Sequence, residues 1–439
     1  MRPTPFGKAA AFAAPALSAL GWLILAAPAW AQDDDPTFSL NEPLSLDEPL
    51  TADALVAWVL RENRGLDAAE AAAQAAAYRI EPAGSLDDPM LNVGAAPRSS
   101  EQNIDFSQRL PWPGTLKARE AAARYEATAA DFNVGVERLT LASAAKSAYA
   151  EWYFAARGLE ILHQVQALVE ELIATAETRY AAGRALQQDV LQAEVERAEL
   201  ETQELRLLRE QAAARARING LLNRPPDAPL PPAEAISTDL PALDAEALEG
   251  LALSRHPELR RLDAEIAAAE SRVTVARKAF FPDFQIRAGY NTLWEDPEKR
   301  AQFGISINIP FDRGKRQAEL DRTQAERRRA ESTLTNERAQ LLADVARARA
   351  EVVEAVQTIE VYEEQLLPLA SEYLQAAIAD YQSGTGAFLN VITAEQRRLK
   401  TELALERTRA DYLRRVAELE LLTGGPLDAL APQSRGDEE

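Results

Sequence analysis

The sequence predicts a mainly α fold with a small β part: a duplicated unit of long coiled-coil helices, each copy carrying one β-hairpin. Three observations predict it. First, motifs recur in order: LPWPG at 110–114 returns as IPFDRG at 309–314, and RYAAGRALQQDVLQAE at 179–194 returns as DYQSGTGAFLNVITAE at 380–395. Leu66 and Pro89 map onto Leu259 and Pro282 at one offset, and Gly183 and Pro225 onto Gly384 and Pro426 at another. Repeats on this scale mean a duplicated structural unit. Second, long stretches lack helix breakers in a chain dominated by Ala, Leu, Glu and Arg, with aromatics at 6%, a mix that favours long helices. Third, short segments switch to strict alternation, which puts one face of a strand on an apolar medium and the other on water.

In chain order, residues 1–31 read as a secretory signal. Arg2 and Lys8 precede an apolar run through Leu17, Leu20, Trp22, Leu23, Ile24 and Leu25, and Ala29-Trp30-Ala31 supplies an A-x-A cleavage site before Gln32. The residue after the cut is not Cys, so no lipid anchor is expected there. Residues 32–50 precede the first repeat, at 51–222. It comprises a helix over about 52–80, a hairpin at about 89–111, a very long helix, a turn at 181–187 and a returning helix over about 186–222. A Pro-rich linker, 223–243, joins it to the second repeat at 244–423, with a helix over about 244–279, a hairpin at about 283–310, a second long helix, a turn at 382–388 and a returning helix over about 387–422. Residues 424–439 close the chain with an acidic tail.

In the second hairpin Phe284, Ile286, Ala288 and Tyr290 alternate with polar residues or Gly, as do Phe303, Ile305, Ile307 and Ile309, across the charged turn 295–299. The first hairpin carries Leu91, Val93 and Ala95, then Ile104, Phe106 and Leu110, across Pro97-Arg98-Ser99-Ser100. Strands of about ten residues suit a tilted transmembrane strand. Four such strands cannot close a barrel and open edges are not tolerated in lipid, so several chains must contribute.

Between Gly114 and Gly183 a helix of roughly 65 residues would span about 100 Å at 1.5 Å per residue. Its 4,3 stripe runs through Leu141, Ala145, Ala148, Trp152, Ala155, Leu159, Leu162, Val169, Ile173 and Ala176. The second long helix, from Gly314 to about Tyr381 and interrupted at Pro368, repeats it through Leu341, Val345, Ala348, Val352, Ala355, Ile359, Tyr362, Leu366, Leu369 and Tyr373. Such heptads call for coiled-coil packing.

The formal charge is −21, which argues against nucleic acid and for a surface that attracts cations. With no Cys, two His and two Met, no dedicated soft-metal site is expected, and no cofactor. His163 and His256 have no partner at ligand spacing. Gly384-Thr385-Gly386 lacks the strand-before-helix context of a phosphate loop. No nucleophile–base pair or paired carboxylates appear in a cleft context, so no enzyme is expected. Trp112, Trp294 and Phe311 lie at strand ends, where aromatics either meet headgroups or pack on the hairpin.

Taken with these pieces, the hairpin exit Ser107-Gln108-Arg109-Leu110-Pro111-Trp112-Pro113-Gly114 and the turn motifs RYAAGRALQQDV and DYQSGTGAFLNV resemble the TolC-type outer-membrane efflux proteins over roughly 50–426. DPML at 88–91 and the WPG exit resemble the heavy-metal (CzcC-like) branch. The resemblance implies a homotrimer whose twelve strands form an outer-membrane β-barrel continuous with a periplasmic α-helical tunnel. It further implies a periplasmic adaptor and an inner-membrane pump of the RND type as partners, with outer-membrane lipid around the barrel. Residues 32–50, 223–243 and 424–439 would form a belt partway along the helices.

The same resemblance puts the glycine turns at the periplasmic tip. Gly183, Arg184, Ala185, Leu186, Gly384, Thr385, Gly386 and Ala387 become adaptor-docking candidates, and Tyr180, Asp189, Tyr381 and Asn390 candidates for the tip constriction. A Gly after a long helix is ordinarily a left-handed cap, and an Asp soon afterwards an N-cap or first-turn acid; a ring of three Asp would favour cations. The family's ionic latch, an Arg in the second turn and an Asp beyond it, falls here on Gly386 and Thr393, leaving Arg184 as a substitute. Multidrug efflux and type I secretion are alternatives within this fold, and an exported coiled-coil scaffold is the alternative outside it.

Overall fold

A computed structural model describes residues 48–95, 102–238, 243–292 and 300–427. The signal segment, both hairpin turns with Trp294, and the acidic tail lie outside the described residues. Helix α4 (Thr115–Ala181) is one uninterrupted helix of 67 residues, about 100 Å long, and every residue of its 4,3 stripe is buried. It packs against α5 (Gln187–Leu221), α7 (Pro257–Lys278) and α10 (Phe388–Thr423).

The sequence predicts single helices before each hairpin, but both are broken. In the first copy α1 (Ala52–Glu62) gives way to α2 (Arg64–Ala77) at Asn63, followed by a short α3 (Ile80–Gly84). The Asn63 carboxamide oxygen caps α2 by accepting from the Gly65 N–H at 2.8 Å. Its Nδ2 donates to the Leu221 carbonyl at 2.8 Å, tying the joint to the end of α5. In the second copy α6 (Ala245–Arg255) stops at His256 because Pro257 opens α7; proline suits a first helical turn but cannot continue a preceding one.

The second long helix departs from its predicted stripe. Helix α8 (Arg313–Val361) runs into one π turn at Tyr362–Leu366 before α9 (Leu367–Ser383). Pro368 lacks an N–H, and its ring crowds the carbonyl one turn back, so widening the turn just before it relieves the clash. A π turn adds one residue to the helical count, and the buried set moves on by one. Up to Ile359 the predicted positions are buried; beyond it Ala370 and Leu374 are buried in place of Leu369 and Tyr373. Leu366, Leu369 and Tyr373 are exposed in the single chain.

The strands β1 (Met90–Ala95), β2 (Gln102–Leu110), β3 (Asp283–Asn291) and β4 (Ala301–Asn308) form one antiparallel sheet in sequence order, with β2 pairing with β3 across the two copies. Directly paired residues share a face. Leu91 pairs with Phe106 and Val93 with Ile104; Ile104 then meets Tyr290, Phe106 meets Ala288, Ile286 meets Ile305 and Ala288 meets Phe303. One face is therefore apolar across all four strands. The opposite face pairs Asn92 with Asp105, Ser107 with Arg287, and Gln285 with Ser306. Among the described residues nothing covers this apolar face, Phe303 being 86% exposed.

Residues 223–238 lie along the middle of α4. Leu50 bridges to Ala233, the Tyr149 hydroxyl donates to the Leu50 and Glu234 carbonyls, and the Trp152 indole donates to the Pro231 carbonyl. Trp112 packs rather than projecting, stacked 4.8 Å from Phe281, whereas Phe311 is exposed. Among the described residues no helix is long and apolar enough to cross a membrane.

Candidate functional site at the paired helical turns

Gly183 and Gly384 end α4 and α9 with φ of 72° and 83°, a conformation that costs a β-carbon-bearing residue and that glycine adopts freely. Around each, backbone donors return to the last helical turn. Gly183 N–H donates to the Tyr180 carbonyl and Arg184 N–H to the Arg179 carbonyl. In the second turn the N–H groups of Thr385 and Gly386 both donate to the Asp380 carbonyl at 3.0 Å. A side chain at Gly386 would meet the Asp380 β-carbon at 2.8 Å, so this turn demands glycine for space. Leu186 and Ala387 are the N-caps of α5 and α10, without side-chain caps. Ala185 is half-buried.

Asp189 and Asn390 occupy the third position of their helices, where each N–H bonds the cap carbonyl. Asp189 is thus a first-turn acid favoured by the helix dipole, not an N-cap. Tyr180 and Tyr381 are equivalent in sequence and opposite in setting: Tyr180 is 48% exposed and Tyr381 4%. Tyr381 meets Phe388 edge to face at 5.1 Å. Burial, with the Asp189 charge adding to it, raises the Tyr381 phenol above its ordinary value.

The residue that spans the two turns is Arg179, which sequence reasoning passed over in favour of Arg184. Its guanidinium donates to the Tyr381 carbonyl at 2.6 Å and the Gln382 carbonyl at 3.3 Å, and lies 4.5 Å from the Tyr381 ring centroid. This brace joins the two hairpins of one chain. Arg184 is exposed. Gly386 and Thr393 supply no ionic pair; the Thr393 hydroxyl donates to the Leu389 carbonyl of its own helix.

Neither histidine sits in a ligand cluster, and among the described residues no group of three or more His, Cys, Asp or Glu could hold a metal. His163 lies 3.4 Å from Glu204 at the surface. Burial lowers the His256 imidazole below its ordinary value. A feature not anticipated from sequence is a pair of buried carboxyls, Glu196 on α5 and Glu395 on α10, just behind the turns.

Residues 248–425 match the family model for outer membrane efflux proteins. The chain is 24% identical over 412 residues, 86% of its length and 84% of the relative's, to the toluene efflux pump outer membrane protein TtgF of Pseudomonas putida. It is 29% identical over 214 residues, 44% of each chain, to the cation efflux system protein CusC of Escherichia coli (strain K12). Among solved structures it superposes on a crystal structure of CusC with a TM-score of 0.75 at 22% identity, covering 87% of this chain and 94% of that one. It superposes on the outer membrane protein VceC of Vibrio cholerae with a TM-score of 0.72 at 21% identity, covering 86% and 96%.

Proposed function

We propose that the chain is an outer membrane efflux protein, a reading supported by the match of residues 248–425 to that family model, and that three copies assemble into the passive outer-membrane conduit of a tripartite efflux system. The observation that carries this reading is the four-stranded sheet, whose apolar pairs are in register across every strand and lie uncovered. A sheet with two open edges and one apolar face suits lipid only when closed into a barrel. Three copies supply twelve strands, and the hundred-ångström helices carry the path away from the membrane. A periplasmic adaptor would dock at the turns around Gly183 and Gly384, and an inner-membrane pump would supply the energy. A conduit of this kind performs no catalysis.

For the cargo, the acidic balance of −21 supports metal cations, since an acidic lumen concentrates them; the similarity to CusC is in keeping with this. A second reading, small organic molecules, is favoured by the similarity to TtgF along most of the chain. Two experiments test the proposal. Cell fractionation with a native mass in detergent should place a trimer in the outer membrane; a soluble periplasmic monomer or dimer would instead support the scaffold. A complemented deletion strain, grown on divalent metals and on unrelated drugs, should be selectively metal-sensitive. Sensitivity to drugs or solvents alone would assign the cargo to the organic class.

A further inference from the structure

Two glutamates lie on the buried stripe of α10, and they are treated differently. Glu406 accepts from the Tyr153 hydroxyl at 2.5 Å and from Arg409 at 2.8 Å. Glu395, only 1% exposed, has no hydrogen-bond partner for either carboxylate oxygen among the described residues. Val391, Ile392 and Leu399, one turn to either side of it, are buried in an apolar cluster with Ala193 and Leu200 of α5. Arg398, whose charge acts on Glu395, is engaged by Glu402 at 2.8 Å. From α5 the group facing it is a second carboxyl, Glu196, 4% exposed, which accepts from Gln396 Nε2 at 2.5 Å.

An unpaired carboxylate in such a place bears the full desolvation cost of its charge, and two adjacent buried carboxyls resist ionising together. The charged groups that act on Glu395 are Glu196 of α5 and Arg398 and Glu402 of its own helix. Burial, followed by the Glu196 charge, pushes the Glu395 carboxyl up to about 8, and burial raises Glu196 as well. A cleft of about 480 Å³ between α5 and α10 opens beside Glu196, its charged lining completed by Glu199, Arg206 and Lys400, while Glu395 itself lies behind the lining.

We propose that Glu395 is a proton-binding site that controls the pairing of α5 with α10 behind the turns, holding them together when protonated and releasing them when ionised. The proton leaves Glu395 for water when the two helices part and admit solvent, which also stabilises the carboxylate left behind. The sign follows from linkage. The packed form holds a proton that a solvated carboxyl would release above its ordinary range, so packing is fully favoured in acid, weakens as pH rises and levels off once Glu395 has ionised at about 8. The proton site stands on the geometry of α5 and α10 and does not rest on the function proposed above.

The test uses the full-length protein in detergent and two readouts that need no transport. Infrared spectroscopy should show a protonated-carboxyl stretch at neutral pH that is lost on mild alkalinisation and is missing in Glu395→Gln. The chain has no cysteine, so spin labels on Gln188→Cys and Leu389→Cys, with labelled chains diluted into unlabelled ones so that few assemblies carry two labelled copies, report the separation of α5 and α10. That separation should widen as pH rises in the otherwise unaltered chain and stay at its acid value in Glu395→Gln. Glu196→Gln removes the neighbouring charge and should move the infrared midpoint down by about one pH unit, which keeps the idea testable if the first variant misfolds. A carboxyl band unchanged in Glu395→Gln, or a label separation indifferent to pH, would overturn the proposal. Fractionation reports separately on the channel.

Discussion

Arg179 and Asp380 stand at equivalent positions in the two copies of the turn motif with opposite charge, and only the arginine reaches across. It supplies charged donors to carbonyls at the end of α9, where the helix leaves acceptors unpaired and its dipole is negative. It also covers the face of Tyr381. A charge-assisted hydrogen bond contributes about 1.5–3 kcal/mol when well shielded; half-buried as it is, the brace contributes about 1–2 kcal/mol. Arg179→Ala should therefore raise the population with separated turns roughly tenfold. Hydrogen exchange over 380–388 in the purified protein should speed up accordingly. Arg179→Lys should recover only part of the protection, because an ammonium lacks the planar fork and the stacking surface. Unchanged exchange in the alanine variant would show that the turns hold their places without the brace.

At the scale of elements, the sheet makes the sharpest demand. Phe303 and Ile305 lie on its apolar face and Gln302 on the other, so neighbouring substitutions should behave oppositely. Phe303→Arg should cost about 2–4 kcal/mol if it lies near the bilayer midplane, less toward the rim, and should deplete the protein from the outer membrane. Gln302→Arg should assemble normally, as outer-membrane fractionation of the two variants would show. Much of this was legible in the sequence: alternation in residues 284–290 and 303–309 located β3 and β4, and the 4,3 spacing located a buried stripe of α4 from Leu141 to Ala176, though not its buried residues nearer the strands, such as Ala118, Ala122 and Val134. What stayed hidden depended on contacts remote in sequence or on a local count. Asn63 is a weak helix breaker by itself, and its partner Leu221 lies at the far end of the copy. The π turn before Pro368 shifts the stripe of α9 by one residue, which no heptad count foresees. Gly183 and Gly384 are legible because backbone sign alone requires them. Arg179 and Glu395 are not, because their roles exist only where one helical hairpin meets the other; the one hint was an acid at 395 where α10's apolar spacing through Phe388, Val391 and Leu399 calls for an apolar residue.

Across the whole molecule, the same π turn decides which apolar residues a single chain leaves bare. Val361, Leu366, Leu369 and Tyr373 are exposed along α8, the π turn and α9, while the adjacent stripe is buried against the chain's own helices. Scattered exposed leucines need no explanation, but a contiguous apolar row on a helix is a surface that expects a neighbour. In the proposed trimer that neighbour is the next copy, so this row and the open edges β1 and β4 are two parts of one demand for assembly. The row can be tested apart from the sheet. Leu369→Asp introduces a charge at a position already exposed in the single chain, so its cost should fall on association and not on folding. Circular dichroism should retain the helical content, while the native mass in detergent shifts from trimer toward monomer. Leu374→Asp, one turn along and 4% exposed, should instead lower helical content and thermal stability together, because burying an unpaired charge penalises the folded chain itself. If both variants remained trimeric and equally folded, the row would be an ordinary wet surface and the three chains would be held by the strands alone.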